Sequence, residues 1–312
     1  MKKLHITDDI AITEISMGAL KAKGENAHRI MDMYLELGGN TFDTARSYFG
    51  GEYDKFLGDW INSRGIRNSV ILNMKGCYPL DSSKMYESRL SPADIKSDLE
   101  KSLQVAGLDY ADMYLLHRDD PKLPVDDIVT AASKLIDEGK TRAIGVSNWS
   151  CGRIVKANEF AEQNGLHKFC VSQLHFSLAT TTPAVTGDIT HVPMSDVEYG
   201  WYFETGFPVM AFSSQGKGFF GQIESDVELK SSAKEYYSYI PENMRRAARA
   251  IELGAEYGVS ASAIALAYLR ANPVRNSALV GFSSVEQFEQ SMAALKVDLT
   301  PDDILYLEIG VR

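Results

Sequence analysis

The sequence predicts an α/β protein: a single (β/α)8 TIM barrel with an N-terminal β-hairpin and long loops at the C-terminal face of the barrel. Three observations predict it. Short apolar runs of strand length alternate with segments of helical periodicity along the chain. Eight of these runs, separated by helices, suffice to close a parallel barrel. No shift in composition divides the 312 residues, so one domain over 1–312 is expected, a size that α/β barrels often reach.

Residues 4–20 read as two short strands with a turn at Asp8-Asp9, the second, Ile15–Leu20, opening the main sheet. Apolar residues at Ala27, Ile30, Met31, Tyr34 and Leu37 predict a helix that Gly38-Gly39 stops. Asn40–Asp43 is the second strand, and Glu52–Arg64 a helix with Tyr53, Phe56, Leu57, Trp60 and Ile61 on one face. Val70–Met74 is the third strand, followed by a loop through Tyr78-Pro79-Leu80. Ser91-Pro92-Ala93-Asp94 then supplies an N-cap and a proline at the first helical position. The alternation continues with strands at Asp112–Leu116, Arg142–Val146, Phe169–Gln173, Pro208–Phe212 and Ala278–Val280. Helices fall at Val125–Glu138, Cys151–Gln163, Asp196–Glu204, Arg245–Tyr257, Ala261–Leu269 and Ser284–Leu295. Two segments exceed the minimal barrel: 179–194, rich in Thr, Pro and Gly, and 213–241, which carries five aromatic residues. Long loops inside a compact domain are usually functional or disordered, and cofactor cover or substrate recognition is the sharper reading for the aromatic one.

Composition narrows the function. A net charge of -10 speaks against nucleic acid as partner, since that surface must be basic. Cys77, Cys151 and Cys170 give neither a disulfide framework nor a CxxC metal pair, which suits a reducing cytoplasm. The first residues lack an apolar signal region, and no apolar run is long enough to span a membrane. The six histidines form no HExxH and no HxH after the first strand, so no metal site is expected.

Four ionisable residues stand where apolar strands stop: Asp43, Tyr48 five residues on, Lys75 and His117. In a parallel barrel that edge is where catalysis happens. Each alone has a bland explanation as a cap, a rim aromatic, a solvated lysine or a structural histidine. Together, at the ends of strands two, three and four, they make a proton-delivery site. A phenol ordinarily has a pKa near 10, and a neighbouring ammonium lowers it. Lys75 is thus expected to tune Tyr48, Asp43 to hold Lys75, and His117 to orient a substrate oxygen. Such a site needs a hydride for the carbonyl carbon, for which a nicotinamide is the natural source.

Asn40-Thr41-Phe42-Asp43-Thr44-Ala45-Arg46-Ser47-Tyr48 resembles the signature of the aldo-keto reductase family around its catalytic Asp and Tyr, and Lys75 and His117 fall where the family's Lys and His occur. The likeness runs over nearly all of the chain. It implies a barrel that binds NADP, with NAD as the alternative, in extended form, in keeping with the lack of a GxGxxG after a strand. It further implies that Ser147, Asn148 and Gln173 contact the nicotinamide carboxamide and that Phe212 stacks on the ring. Ser213, Gln215, Gly216 and Lys217 resemble the loop around the pyrophosphate. Gly281, Ser283, Gln287 and Gln290 fall in the segment that holds the adenosine. Many NADP-using members carry Arg, the natural phosphate clamp, where this chain has Gln287. Phe49, Tyr78, Arg118 and Trp149 are candidates for the substrate pocket, as are Tyr199 and Trp201. Asp119 and Asp120 beside Arg118 face the pocket or form a charged surface turn. The expected activity is NAD(P)H-dependent reduction of an aldehyde or ketone, a sugar or other hydroxylated compound among them, or the reverse. The alternative is a nucleotide-binding regulatory protein on the same fold.

Overall fold

A computed structural model describes the chain except for Leu80, Ser82, Ser83 and Met85, so the loop reading at Leu80 lies outside the described residues. Strands β1 (Lys3–His5) and β2 (Ala11–Thr13) pair antiparallel as a hairpin. The barrel strands are β3 (Ile15–Met17), β4 (Thr41–Asp43), β5 (Ile71–Gly76), β6 (Ala111–Leu116), β7 (Thr141–Ser147), β8 (Ser172–His175), β9 (Val209–Phe212) and β10 (Asn276–Val280). They close in the order β10-β3-β4-β5-β6-β7-β8-β9, every neighbour parallel.

The helices wrap this barrel: α1 (Gly24–Glu36), α2 (Glu52–Arg64), α3 (Pro92–Ala106), α4 (Val125–Asp137), α5 (Cys151–Gln163), α6 (Pro183–Thr186), α7 (Asp196–Thr205), α8 (Phe219–Glu224), α9 (Ser231–Tyr237), α10 (Pro241–Tyr257), α11 (Ala261–Ala271), α12 (Val285–Met292) and α13 (Pro301–Ile309). Ser91 caps α3 by accepting from the Asp94 N–H with Pro92 in the first turn, as the sequence signals. Helices α2 and α3 pack so closely that a Cβ on Gly58 would lie 2.1 Å from the Ala106 carbonyl oxygen.

Three expectations need correcting. The hairpin's second strand is Ala11–Thr13, and Ile15–Met17 is a separate barrel strand. Between them Glu14 accepts from the Lys2 N–H and from Arg270, which turns the chain from hairpin into barrel. Strand β8 begins at Ser172, not Phe169, although Cys170 N–H already donates to Ile144 and Val171 accepts from Val146. The closing helix α13 was not foreseen, yet Thr300-Pro301-Asp302-Asp303 forms a full capping box with proline in the first turn. The long 213–241 segment carries two short helices, α8 and α9.

Strand alternation sorts the barrel interior. On β5, Leu72 and Met74 join the outer cluster beneath the helices, while Ile71 packs on an inner cluster with Met113 and Leu115 of β6, Ala143 of β7, Val171 and Met210 of β9. The hairpin supplies Ile6, Ile10 and Ile12 to that same inner cluster and so plugs the N-terminal end of the barrel. Towards the C-terminal end the same inward positions turn polar: Asp43, Asn73, Lys75, Ser147 and Gln173 are all buried.

Candidate active site

Asp43 ends β4, and the register places it opposite Asn73 of β5, two residues before Lys75 on the same face. Lys75 Nζ donates to Asp43 Oδ2 at 2.5 Å, with both side chains withdrawn from water. The second carboxylate oxygen accepts from Asn73 Nδ2 at 2.6 Å and from Gln173 Nε2 at 2.9 Å. Asp43 is therefore held by three donors from two strands, β5 beside it and β8 across the barrel, the arrangement a buried carboxylate requires. Burial would lower the Lys75 pKa, but the Asp43 carboxylate raises it and the net direction is up, so Lys75 carries its charge.

Tyr48 reaches over this pair from the turn after β4. Lys75 Nζ lies 4.9 Å from the centre of its ring. His117, whose N–H donates to the Gly76 carbonyl across the β5–β6 edge, meets Tyr48 edge-on at 5.9 Å and Tyr78 at 5.0 Å. The expected lowering of the Tyr48 phenol is outweighed. Burial raises its pKa, Lys75 pulls it down, Asp43 pushes it up again, and the net direction is up. The phenol is neutral at neutral pH. His117 is driven well below the ordinary imidazole value, first by burial and then by the charges of Lys75 and Arg118. It is a neutral imidazole, and its Nδ1 is buried with no hydrogen-bond partner among the described residues. A protonated phenol and an imidazole with an unspent nitrogen thus stand edge to face, ring centres 5.9 Å apart, beside a buried ion pair. That is a pre-aligned donor pair for an oxygen on which negative charge develops.

The residues proposed for a cofactor lie at or beyond the C-terminal ends of β7 to β10. Ser147 ends β7, and its Oγ accepts from Asn148 Nδ2 at 3.0 Å. Asn148 adopts a left-handed backbone (φ 57°) and its Oδ1 accepts from the Val192 N–H. Gln173 turns its amide towards Asp43 and bonds that carboxylate directly. Phe212, half-buried at the end of β9, faces His175 and His191. Beyond it Ser213 and Lys217 are left-handed (φ 55° and 53°). Gly216 N–H donates back to Ser213, closing a tight loop. Gln215 ties that loop to Ser262 of α11 and Ser291 of α12. Lys217 is exposed as a residue, but its ammonium sits 4.3 Å from the Tyr236 ring centre; desolvation there, then the Lys21 charge, lowers its pKa. Gly281 lets the chain after β10 approach the loop after β3, since a Cβ there would be 2.5 Å from the Ala19 carbonyl oxygen. Ser284 caps α12, and Gln287 reaches back to the Ser283 N–H, while Gln290 is exposed on the same helix.

The substrate candidates separate. Tyr78 stands beside His117 with the Arg118 guanidinium 5.0 Å from its ring centre. Arg118 spends its donors on the His117 carbonyl, Thr190 and Asp188, fastening the 179–194 loop to the barrel edge. Phe49, left-handed at φ 50°, is exposed. Trp149 is wholly buried, packed on Phe169 with Arg153 over its ring, so it belongs to the core and not to a pocket wall. Asp119 pairs with Arg153, with both side chains largely buried, while Asp120 accepts from the Lys122 N–H in the turn that follows. Tyr199 and Trp201 lie on α7, Tyr199 bonded to Asn272 and Trp201 packed on Tyr202 and Phe207. Sequence reasoning missed Asn73, His175, His191 and Tyr236. The first two had a signal, standing two residues from Lys75 and from Gln173 on the same strand faces. Of the last two, His191 comes from the 179–194 loop and Tyr236 from the short helix α9, where little local pattern guides the reading.

The model of the Aldo/keto reductase family matches residues 14–309. The chain belongs to the aldo/keto reductase family. Among its relatives is norsolorinic acid reductase stcV of Emericella nidulans, 30% identical over 91% of this chain and 71% of that protein. Aryl-alcohol dehydrogenase GME11368 of Pestalotiopsis microspora is 25% identical over 92% of this chain and 72% of that one. Norsolorinic acid reductase A of Aspergillus parasiticus is 26% identical over 88% and 69%. As an aldo/keto reductase with reductase and dehydrogenase relatives, the chain is supported as an oxidoreductase that acts on carbonyls. Among the described residues no helix is long and apolar enough to cross a membrane.

Proposed function

We propose that this aldo/keto reductase interconverts an aromatic aldehyde or ketone and its alcohol with NADP(H), Tyr48 handing the proton to or from oxygen. The observation that carries the reading is the buried Asp43–Lys75 pair directly beneath the Tyr48 phenol, with neutral His117 alongside. A bound nicotinamide supplies the hydride. Tyr48 donates a hydrogen bond to the carbonyl oxygen and then its proton as the alcohol forms, and the Lys75 charge stabilises the phenolate left behind. His117 donates a second hydrogen bond and fixes the oxygen in place. The raised Tyr48 pKa keeps the phenol protonated before reaction, which suits reduction.

Ser147, Asn148, Gln173 and Phe212 are the residues we assign to the nicotinamide end. Lys217 with Lys21, whose charges reach each other beside the left-handed loop, are assigned to the phosphates. Ser283 and Ser284 at the start of α12 are assigned to the adenosine end, where Gln287 already holds the Ser283 N–H. The names of the relatives and the ring-lined approach through Tyr78, Phe212 and Tyr236 favour an aryl substrate over a sugar. Consumption of NADPH and of NADH over a panel of aryl aldehydes, aryl ketones and keto-sugars tests this. Turnover of aryl carbonyls that Tyr48→Phe abolishes is expected. Tight nucleotide binding with no turnover of any carbonyl would replace it by the regulatory reading.

A further inference from the structure

His191 is not accounted for by the proton-delivery site, yet it is built into the same wall. It is delivered by the 179–194 loop, and its neighbour Thr190 accepts from Arg118 Nε at 3.0 Å. Asp188 takes a second guanidinium N–H and bonds the Thr190 N–H and hydroxyl. On the other side Val192 N–H is seated on Asn148 and Met194 N–H on the His175 carbonyl. Four alternating positions of the loop, Asp188, Thr190, Val192 and Met194, are thus pinned to the ends of β6, β7 and β8. The imidazole they present packs against Phe212 at 5.5 Å, His175 at 5.3 Å and Tyr236 at 6.0 Å.

Only 4% of His191 is exposed, and its Nδ1 is buried without a hydrogen-bond partner among the described residues. An unsatisfied buried polar atom costs about 1–3 kcal/mol, so a loop fixed this firmly around one calls for an explanation. Its neighbour His175 offers a contrast, because that ring is satisfied by a 2.7 Å hydrogen bond with Tyr237. The unspent nitrogen of His191 matches the unspent Nδ1 of His117. The wall between them is aromatic and cationic, from Tyr78 to Arg118 and Thr190.

We infer that His191 is a specificity-determining residue, whose imidazole hydrogen-bonds a ring hydroxyl of an aromatic carbonyl substrate at the end remote from the reacting oxygen. This deepens the proposed function and rests on its site. The substrate class it selects is the hydroxylated aryl aldehyde or ketone. The plain ring would still enter between Tyr78, Phe212 and Tyr236, but would leave the nitrogen unpaired. A site built to bond a hydroxyl discriminates strongly against the analogue that lacks it.

The experiment measures the dissociation constants of 4-hydroxybenzaldehyde and benzaldehyde by calorimetry on the NADP+-loaded protein, for wild type, His191→Phe and His191→Gln. Phenylalanine keeps the stacking on Phe212 and Tyr236, and glutamine keeps a hydrogen-bonding end should the first variant fold poorly. Wild type is expected to prefer the hydroxylated ring by about tenfold or more, the effect of one hydrogen bond. His191→Phe is expected to lose that ratio, chiefly through weaker binding of 4-hydroxybenzaldehyde, and His191→Gln to keep part of it. An equal ratio in wild type and His191→Phe, or no binding of either aldehyde to wild type, overturns the assignment. Absence of turnover by wild type with the binding ratio and its loss intact would overturn the reductase reading alone.

Discussion

Replacing Lys75 by Met puts a number on the ion pair beneath the phenol. The substitution keeps the volume but leaves Asp43 buried with only Asn73 and Gln173 as donors. Breaking one side of a buried pair costs about 3–5 kcal/mol. The two surviving amide donors place the loss near the lower end, about 3 kcal/mol. Asp43→Asn alone strands the Lys75 ammonium, with a loss nearer 5 kcal/mol. The double variant removes both charges, and neutral replacement of a buried pair costs little, about 1–2 kcal/mol. The singles therefore sum to several kcal/mol more than the double. Urea unfolding at pH 7 for the four proteins measures this. The sign of the pH dependence fixes the conditions: the folded pKa of Lys75 is raised, so its contribution is complete below its ordinary value of 10.5 and is lost only as pH climbs through the folded value. A double variant as damaged as the sum of its parents would show that the two charges are uncoupled, and the account of the site would fail.

Other outcomes can be checked in the same way. Tyr48→Phe should lower kcat for aryl carbonyls by a factor of about 100 or more while nucleotide affinity, read by cofactor fluorescence, stays as it was. His117, His175 and His191 are all held neutral chiefly by burial, so unfolding below pH 6.5 takes up protons that the folded state refuses. Their contribution is present above pH 6.5 and is lost as pH falls. For His191, with a folded value of about 4, the loss reaches about 3 kcal/mol by pH 4, and His191→Phe should flatten the fall of the urea midpoint with acid. Arg118→Met should release the 179–194 loop, whose Ile189 is 79% exposed, and speed limited proteolysis there by about tenfold; an unchanged rate would mean the loop is held elsewhere. Gly58→Ala should cost about 1–3 kcal/mol by forcing α2 away from Ala106, and an unaltered midpoint would contradict the contact.

The barrel was legible because each strand carries its own signal. Val70–Met74 and Asp112–Leu116 are apolar on both faces, as strands covered by helices outside and packed inside must be. The helices around Trp60 and Ile154 show their period and end at Gly65 and at Asn164-Gly165. Strand ends then located Asp43, Lys75 and His117, whose convergence follows from the parallel register. What could not be read was the balance of forces on them. That burial outweighs Lys75 at the Tyr48 phenol depends on depth, which a strand pattern does not encode. Nor does sequence tell that Gln173 would spend its amide on Asp43, or that Trp149 would turn into the core. The loop residue His191 and Tyr236 of the short helix α9 meet the site through contacts over long separations, which no local pattern announces.

The hairpin that stoppers the N-terminal end has an electrical consequence. Ile6, Ile10 and Ile12, with Met113, Leu115 and Met210, fill the barrel floor with hydrocarbon. Water can therefore screen the Asp43–Lys75 pair from one side only. Field lines that cannot spread downwards crowd towards the open rim, where Tyr48 and His117 stand. A hydrocarbon base of this kind makes the charges above it act in one direction. The first dozen residues thus help set the potential at the rim, where the proposed proton transfer would take place.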